Sequence, residues 1–343
     1  MMYDKILGAM VGAAIGDAMG TPLESRPIYL IKEDLGNGGF VYDYIDMPKD
    51  SYAPHMKKGY VSDDFSMAFA SMNAFIKHGK ITHDAAVEGL LDWKYKEPYV
   101  RYSSSYMGPT TRYAIDKLEG RNDPNDYLNV MECHQRTITN GAAMKSWVAG
   151  LFNPGDIEKA IDDSIIMCLP SHDNAIALAA AAAVAAGVAR AMTKNATVDQ
   201  VVEAGLYGAH EGYLRALKVA HDAAAANVEK RIELAVQIGL KYSNDFEGCI
   251  TEMTDIVGTG LFANEAAPAA FGFFVSTGGD VMQTIYRSIN AGNDCDTVAT
   301  MAGALAGALK GYHTIPEHHL PYLSQTNDMD IEKVARQVSQ LLD

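Results

Sequence analysis

Apolar positions along this chain recur mostly at three- and four-residue spacing and seldom alternate, which predicts many helices and few strands. The first segment, residues 6–20, carries Gly8, Gly12, Gly16 and Gly20. A spacing of four puts all four on one side of a helix. Each glycine in a helix interior costs about 1 kcal/mol relative to alanine, so the row points to a neighbour whose backbone must come close. A matching row, Gly303, Gly307 and Gly311, lies near the C-terminus with Ala302 and Ala306 beside it. A third small-residue stretch occupies residues 174–192. Together they predict central helices packed at short range, with others around them.

Amphipathic spacing predicts further helices over 66–78, 82–94, 154–168, 198–226, 229–242 and 330–342. Thr82 is placed to cap the second of these, and Pro154 to open the third, where a missing N–H is harmless. The stretch from Gly36 to Gly59 shows no helical period. It holds three glycines before Phe40, then Tyr42, Tyr44, Tyr52, Pro48 and Pro54. A loop of that length inside a folded unit is usually functional or mobile. No Ser/Pro linker or compositional break divides the chain, so the expectation is one all-α domain spanning 1–343.

Composition narrows the class. Of 343 residues, 48% are hydrophobic and 21% charged, enough for a large core. The net charge of -15 argues against a nucleic-acid partner, since phosphate backbones demand a basic face. Cys133, Cys168, Cys249 and Cys295 are widely spaced with no C-x-x-C pair, which predicts reduced thiols and a cytoplasmic protein. No apolar run reaches the ~18 residues that span a bilayer, so no membrane partner is expected. Asp17 interrupts the N-terminal apolar segment, which therefore reads as a buried helix and not a signal peptide.

Two acidic clusters carry the chemistry. Ser62-Asp63-Asp64 and Asn293-Asp294-Cys295-Asp296-Thr297 each stand directly before a predicted helix. Either alone could simply cap its helix and complement the dipole. Both before central helices would bring four carboxylates together near the core, where isolated charges are costly and like charges repel. A divalent cation removes that cost. The donors are all oxygens, which favours magnesium, manganese or calcium over zinc. Four carboxylates could hold two ions, with Asp296 as a bridge. Asp17 and Glu24 add a fifth and a sixth acid.

In order along the chain, these segments resemble the ADP-ribosylglycohydrolase family, which includes dinitrogenase reductase-activating glycohydrolases and J1 crystallins. The carriers are Gly8 to Gly12, Gly16-Asp17-Ala18-Met19-Gly20 with Glu24, Ser62-Asp63-Asp64, Tyr106-Met107-Gly108-Pro109-Thr110-Thr111, Asn140-Gly141-Ala142-Ala143-Met144, Ser171-His172 and Gly292 to Thr297. The resemblance implies a compact all-α fold with a dinuclear magnesium or manganese site. By position, Ser62, Asp63, Asp64, Asp294, Asp296 and Thr297 would be its ligands. Glu24, Asp63 and Asp296 would be catalytic. Gly108, Asn140, Gly141 and Ala142 would offer backbone contacts to phosphate or ribose, and His172 would line the same cleft. The implied reaction is hydrolysis at the anomeric carbon of a ribosyl unit, on an ADP-ribosylated protein or small molecule. Two alternatives share the fold: a hydrolase of small nucleosides or other glycosides, and a non-catalytic crystallin-like protein. The chain departs from the pattern at Ser62, Phe65, Asn293, Cys295, Lys145 and Trp147. Lys145 and Trp147 are expected beside the cleft, with Trp147 and the tyrosine-rich loop placed to narrow it.

Overall fold

The computed structural model describes residues 2–121 and 135–342; Cys133 lies outside them. Seventeen α-helices and no named strand occur among the described residues, in agreement with the all-α expectation. In chain order they are α1 (Met2–Gly20), α2 (Ile28–Leu30), α3 (Asp63–His78), α4 (His83–Tyr95), α5 (Val100–Tyr106), α6 (Pro109–Leu118), α7 (Ala143–Phe152), α8 (Ile157–Cys168) and α9 (Ala175–Ala191). After these come α10 (Val198–Ala216), α11 (Val228–Lys241), α12 (Phe246–Glu252), α13 (Ala263–Ser276), α14 (Val281–Ile289), α15 (Cys295–Lys310), α16 (His319–Asn327) and α17 (Ile331–Leu342).

The two glycine rows meet. α1 and α15 run antiparallel, and the rows interlock along their length. A Cβ on Gly8 would lie 2.5 Å from the Gly307 carbonyl oxygen, and one on Gly12 would collide with the Gly303 carbonyl. Gly16 faces Ala299, and Gly20 lies against the backbone of Asp296. The seam therefore ends where the acids begin. α9 forms a second hub: apart from Arg190 its residues are buried, and α7, α8, α10, α13 and α15 pack on it. Its alanines admit Gly208 of α10 and Gly150 of α7 at backbone contact.

Several expectations need correction. The 22 residues from Met2 to Leu23 are long and apolar enough to cross a bilayer by length and composition, although every position of the apolar window is buried inside the protein. α10 stops at Ala216, not at 226. Beyond it, the His221 carbonyl accepts the Ala175 N–H at 2.7 Å, and the Asn227 side chain caps α11, so the connecting chain is extended. α8 starts at Ile157 because Asp156, following Gly155 at φ +79°, supplies the cap. α7 and α13 went unmarked in the sequence, α13 carrying Pro268 within it.

The 36–59 loop is tied down by side chains that imitate backbone pairing. Asn290 accepts from the Val41 N–H at 2.8 Å and donates to the Val41 carbonyl at 2.7 Å. Tyr44 Oη lies 2.9 Å from His319 Nδ1. Further along the loop, Arg26 pairs with Asp50, and Tyr52, whose hydroxyl lies 3.4 Å from Ser25 Oγ, lines a cleft together with Glu24.

Candidate metal centre and substrate cleft

Three chain segments converge where α1 ends and where α3 and α15 begin. Asp17, fully buried near the end of α1, accepts the Ser62 N–H and the Phe65 N–H, both at 2.8 Å, one on each oxygen. It also accepts the Thr21 hydroxyl at 3.0 Å. Asp17 thus anchors the first turn of α3, a role that its position among glycines gave no hint of. Within that turn Ser62 caps the helix: its Oγ accepts the Asp64 N–H at 3.1 Å and donates to Asp64 Oδ2 at 3.2 Å.

From α15, Thr297 Oγ1 donates to both oxygens of Asp64, at 3.0 and 3.1 Å. Residues 63–64 and 294–297, more than two hundred positions apart, are therefore in direct contact. Asp294 stands at the N-cap position of α15 but makes no capping bond. Its Oδ2 instead accepts the Asn140 side-chain amide at 2.5 Å. Plain helix capping thus accounts for Ser62 and not for Asp294.

Glu24 is brought in by a backbone clamp. The Ser25 N–H donates to the Asn293 carbonyl at 2.6 Å, and the Asn293 N–H donates to the Arg26 carbonyl at 3.0 Å. Gly292, Asn293 and Ser25 all adopt positive φ, at +69°, +59° and +62°. Asparagine is among the few non-glycine residues that enter this region readily, which explains how Asn293 keeps the turn.

Oxygens from Asp17, Asp64 and Asp296 lie within 4.8 Å of one another, and so do oxygens from Glu24, Asp294 and Asp296. Asp296 belongs to both groups. Asp63 belongs to neither but opens on the cleft beside them. Burial raises every one of these acids. Asp17 is pushed to about 6 and Asp63 to about 8, the latter helped by the charge of Asp17. Asp64, Asp296 and Glu24 rise well above the ordinary carboxylate range, by burial first and by neighbouring carboxylates next. Asp296 Oδ1 is buried with no hydrogen-bond partner. An orphaned oxygen on the carboxylate common to two groups of oxygen donors fits a hard divalent cation.

The acids form the floor of a cleft of about 390 Å³, within the range of small-ligand pockets. Gly108, Gly141 and His172 line it, as do Tyr52, Tyr106 and Thr139. Gly108 is open, with nothing within 4 Å of a Cβ built on it. The remaining expectations change. Ala142 is fully buried, and its carbonyl accepts the Cys168 thiol at 3.3 Å, so it does not face the cleft. The Asn140 N–H is taken by the Leu261 carbonyl at 2.9 Å, so this residue acts through its side chain on Asp294. Trp147 is fully buried, stacked on Phe65 at 6.1 Å, and does not narrow the cleft. Lys145 is buried behind the wall, not beside the opening. Four cleft residues were missed: Ser105 and Leu261, which carried no signal, and Arg136 and Thr139, whose only sequence signal was a polar run leading into the Asn140-Gly141 motif.

A family model described as ADP-ribosylglycohydrolase matches residues 1–343. An uncharacterised protein of Escherichia coli, YegU, is 28% identical over 98% of this chain and 96% of its own length. The ADP-ribosylarginine hydrolase Tri1 of Serratia proteamaculans is 24% identical over 94% of this chain and 76% of its own. A solved structure titled as an ADP-ribosylglycohydrolase-related protein complex shares the fold, with a TM-score of 0.67 at 20% identity, over 99% of this chain and 98% of the other. With the match spanning the whole length, the chain belongs to the ADP-ribosylglycohydrolase family and is a hydrolase of that kind.

Proposed function

We propose that this protein is a cation-dependent hydrolase that cleaves the bond between the ribose anomeric carbon and an acceptor in ADP-ribosylated proteins or small molecules. The observation that carries this reading is the meeting of Asp64, Asp294, Asp296 and Glu24 at the floor of one cleft. We read Asp63, Asp64, Asp294 and Asp296 as the carboxylate holders of two cations, magnesium or manganese by preference and calcium as third candidate. Thr297 and Ser62 hold Asp64 in place for that task. Such ions, when bound, fix vicinal hydroxyls and stabilise developing charge.

The chain's own residues supply the rest. Asn140 fixes the orientation of Asp294, and the 25–26/293 clamp sets Glu24 at the cleft floor. There the Glu24 carboxyl can give a proton to the departing atom or take one from water. The cleft walls, with Tyr52 and Tyr106, provide faces on which a base or sugar can stack. The match over residues 1–343 supports reading the chain as one domain, and three free, buried thiols (Cys168, Cys249 and Cys295) fit a cytoplasmic setting.

The test is turnover of ADP-ribosyl-arginine and of simple nucleosides with manganese or magnesium present, alongside calorimetric titration of the cations. Release of ADP-ribose is the expected result. Nucleoside cleavage alone would move the reading to smaller glycosides. Absence of both turnover and saturable cation binding would sink it and favour a crystallin-like role.

A further inference from the structure

Lys145 is 3% exposed, and among the described residues its Nζ reaches two polar atoms: Ser171 Oγ at 2.6 Å and Met67 Sδ at 3.5 Å. No carboxylate pairs with it among the described residues. A buried lysine without an ion-pair partner is unusual enough to need a reason. Ser171 Oγ in turn lies 2.9 Å from His172 Nδ1 and 3.1 Å from the Cys168 carbonyl. On the other side of the ring, His172 Nε2 lies 3.1 Å from Thr139 Oγ1, and Thr139 Oγ1 lies 3.3 Å from Thr110 Oγ1. His172, Thr139 and Thr110 all line the cleft. An unbroken chain of polar contacts therefore leads from a lysine behind the wall to the substrate space.

The direction of that chain follows from what each group can do. Burial lowers the Lys145 pKa, an effect that the nearby Cys168 and Asp63 oppose; as an ammonium it only donates, and its Nζ–H takes up a lone pair of Ser171. The Ser171 hydroxyl then has one proton and two candidate acceptors. The Cys168 carbonyl already accepts the Ser171 N–H at 3.0 Å and the His172 N–H at 2.9 Å, and it is the more distant of the two. The proton belongs on the contact to Nδ1. Burial and the lysine charge both push the His172 pKa well below its ordinary value, so the ring is neutral and carries its single proton on the other nitrogen. Electrostatics agree: the Nδ1 lone pair faces the cation and the Nε2–H points away from it. Donors aligned head to tail also polarise one another. Gly141 makes room for this ring, since a Cβ there would lie 2.8 Å from Cε1 and Nε2.

We propose that Lys145, acting through Ser171, holds His172 as its Nε2–H tautomer, so that His172 donates to Thr139, Thr139 donates to Thr110, and the Thr110 hydroxyl at the end of this relay is turned to donate to an acceptor oxygen of the substrate. This rests on the reading of the cleft as the site of an ADP-ribosyl substrate. It gives the site a positive influence without a lysine in the cleft itself, where the floor of carboxylates would capture it. Lys145 and Ser171 are positioning residues; neither lines the cleft.

The test is long-range ¹H–¹⁵N correlation NMR of the full chain labelled in histidine, with His172 assigned by its loss in His172→Asn. The wild type should show the Nε2–H pattern at His172. Lys145→Met and Ser171→Ala should each move it to the Nδ1–H form or a mixture, and Lys145→Arg should restore it. Both variants should bind free ADP-ribose about tenfold more weakly, the scale of one strengthened hydrogen bond, with cation titration unchanged. An Nδ1–H pattern in the wild type, or a tautomer indifferent to both substitutions, overturns the proposal. Should Lys145→Met not fold, Ser171→Ala decides it alone. A wild type that shows the expected tautomer but does not bind ADP-ribose leaves the relay standing and removes the substrate reading.

Discussion

The two ends of the α1–α15 pair pose opposite packing problems. At one end, Gly8 and Gly12 meet Gly307 and Gly303 with backbone against backbone and no polar side chain between them. At the other, four residues past Gly16, the same close approach brings Gly20 against Asp296 and seats Asp17 beneath the start of α3. The first end gains contact density. The second gathers carboxylates that repel one another and have lost their water. A helix pair held apart by ordinary side chains would leave the acids in solvent, as independent caps. The glycine seam is thus the device that concentrates charge, and the acidic end is where the stability it provides is partly lost.

If so, the ends should respond oppositely to substitution. Asp296→Asn removes the carboxylate common to both oxygen groups. Turnover of ADP-ribosyl-arginine should fall by at least about 10²-fold, and calorimetry should lose at least one saturable cation. The cation-free protein should meanwhile become more resistant to heat, because a buried negative charge is gone. Turnover within twofold of wild type would separate the acidic end from catalysis. At the other end, Gly12→Ala or Gly303→Ala drives a methyl into a facing carbonyl and should destabilise the fold by about 1–3 kcal/mol in denaturant titrations. Gly39→Ala, in a roomy loop position, serves as the reference and should stay within about 0.5 kcal/mol. Equal losses at Gly12 and Gly39 would mean that the seam is not tight.

How much of this was legible depends on whether a signal is local. A glycine every fourth residue is visible in the sequence because helix geometry alone converts it into a face. Asp63-Asp64 and Asp294-x-Asp296 are visible because they precede apolar helices. What a side chain does after the fold closes is not local. Asn140 looked like a backbone donor, but the loop holding Leu261 takes its N–H and leaves the amide to Asp294. Ala142 and Gly141 are neighbours in one motif, yet the turn into α7 buries the first and exposes the second to His172. Trp147 lies one turn beyond, on the inward face against Phe65. Lys145 read as a substituted cleft residue because nothing in a sequence tells that its nitrogen turns inward to Ser171.

The contrast between the ends also has a pH signature. Asp63 titrates near 3.8 when unfolded and about 8 in the cation-free fold, and Asp17 rises to about 6. Between those values the folded chain holds more protons than the unfolded one, so stability falls as pH rises from about 4 to 8. Removing cations with a chelator should therefore lower the melting temperature more at pH 8 than at pH 5, and manganese should restore it most at pH 8. A chelator effect independent of pH would mean that the acids are not charged in one another's presence. Gly12→Ala should shift the curve down without changing its slope.

The smallest effect expected lies just past the acidic end, at the clamp that carries Glu24. Asn293 sits at φ +59° and is exposed, so its side chain adds little burial. What it supplies is tolerance of the left-handed region, which costs an alanine about 1 kcal/mol. Asn293→Ala should lose about that much stability, whereas Asn293→Gly should stay within a few tenths. The functional consequence is separable. Both hydrogen bonds of the clamp use the backbone of residue 293, so Asn293→Gly keeps them and should keep turnover. Asn293→Ala strains the turn and should lower turnover a few-fold through Glu24 while leaving cation affinity within twofold. If both substitutions weaken cation binding alike, the 292–293 turn supports the carboxylates directly, and the division of labour between Glu24 and the aspartates drawn from this geometry is wrong.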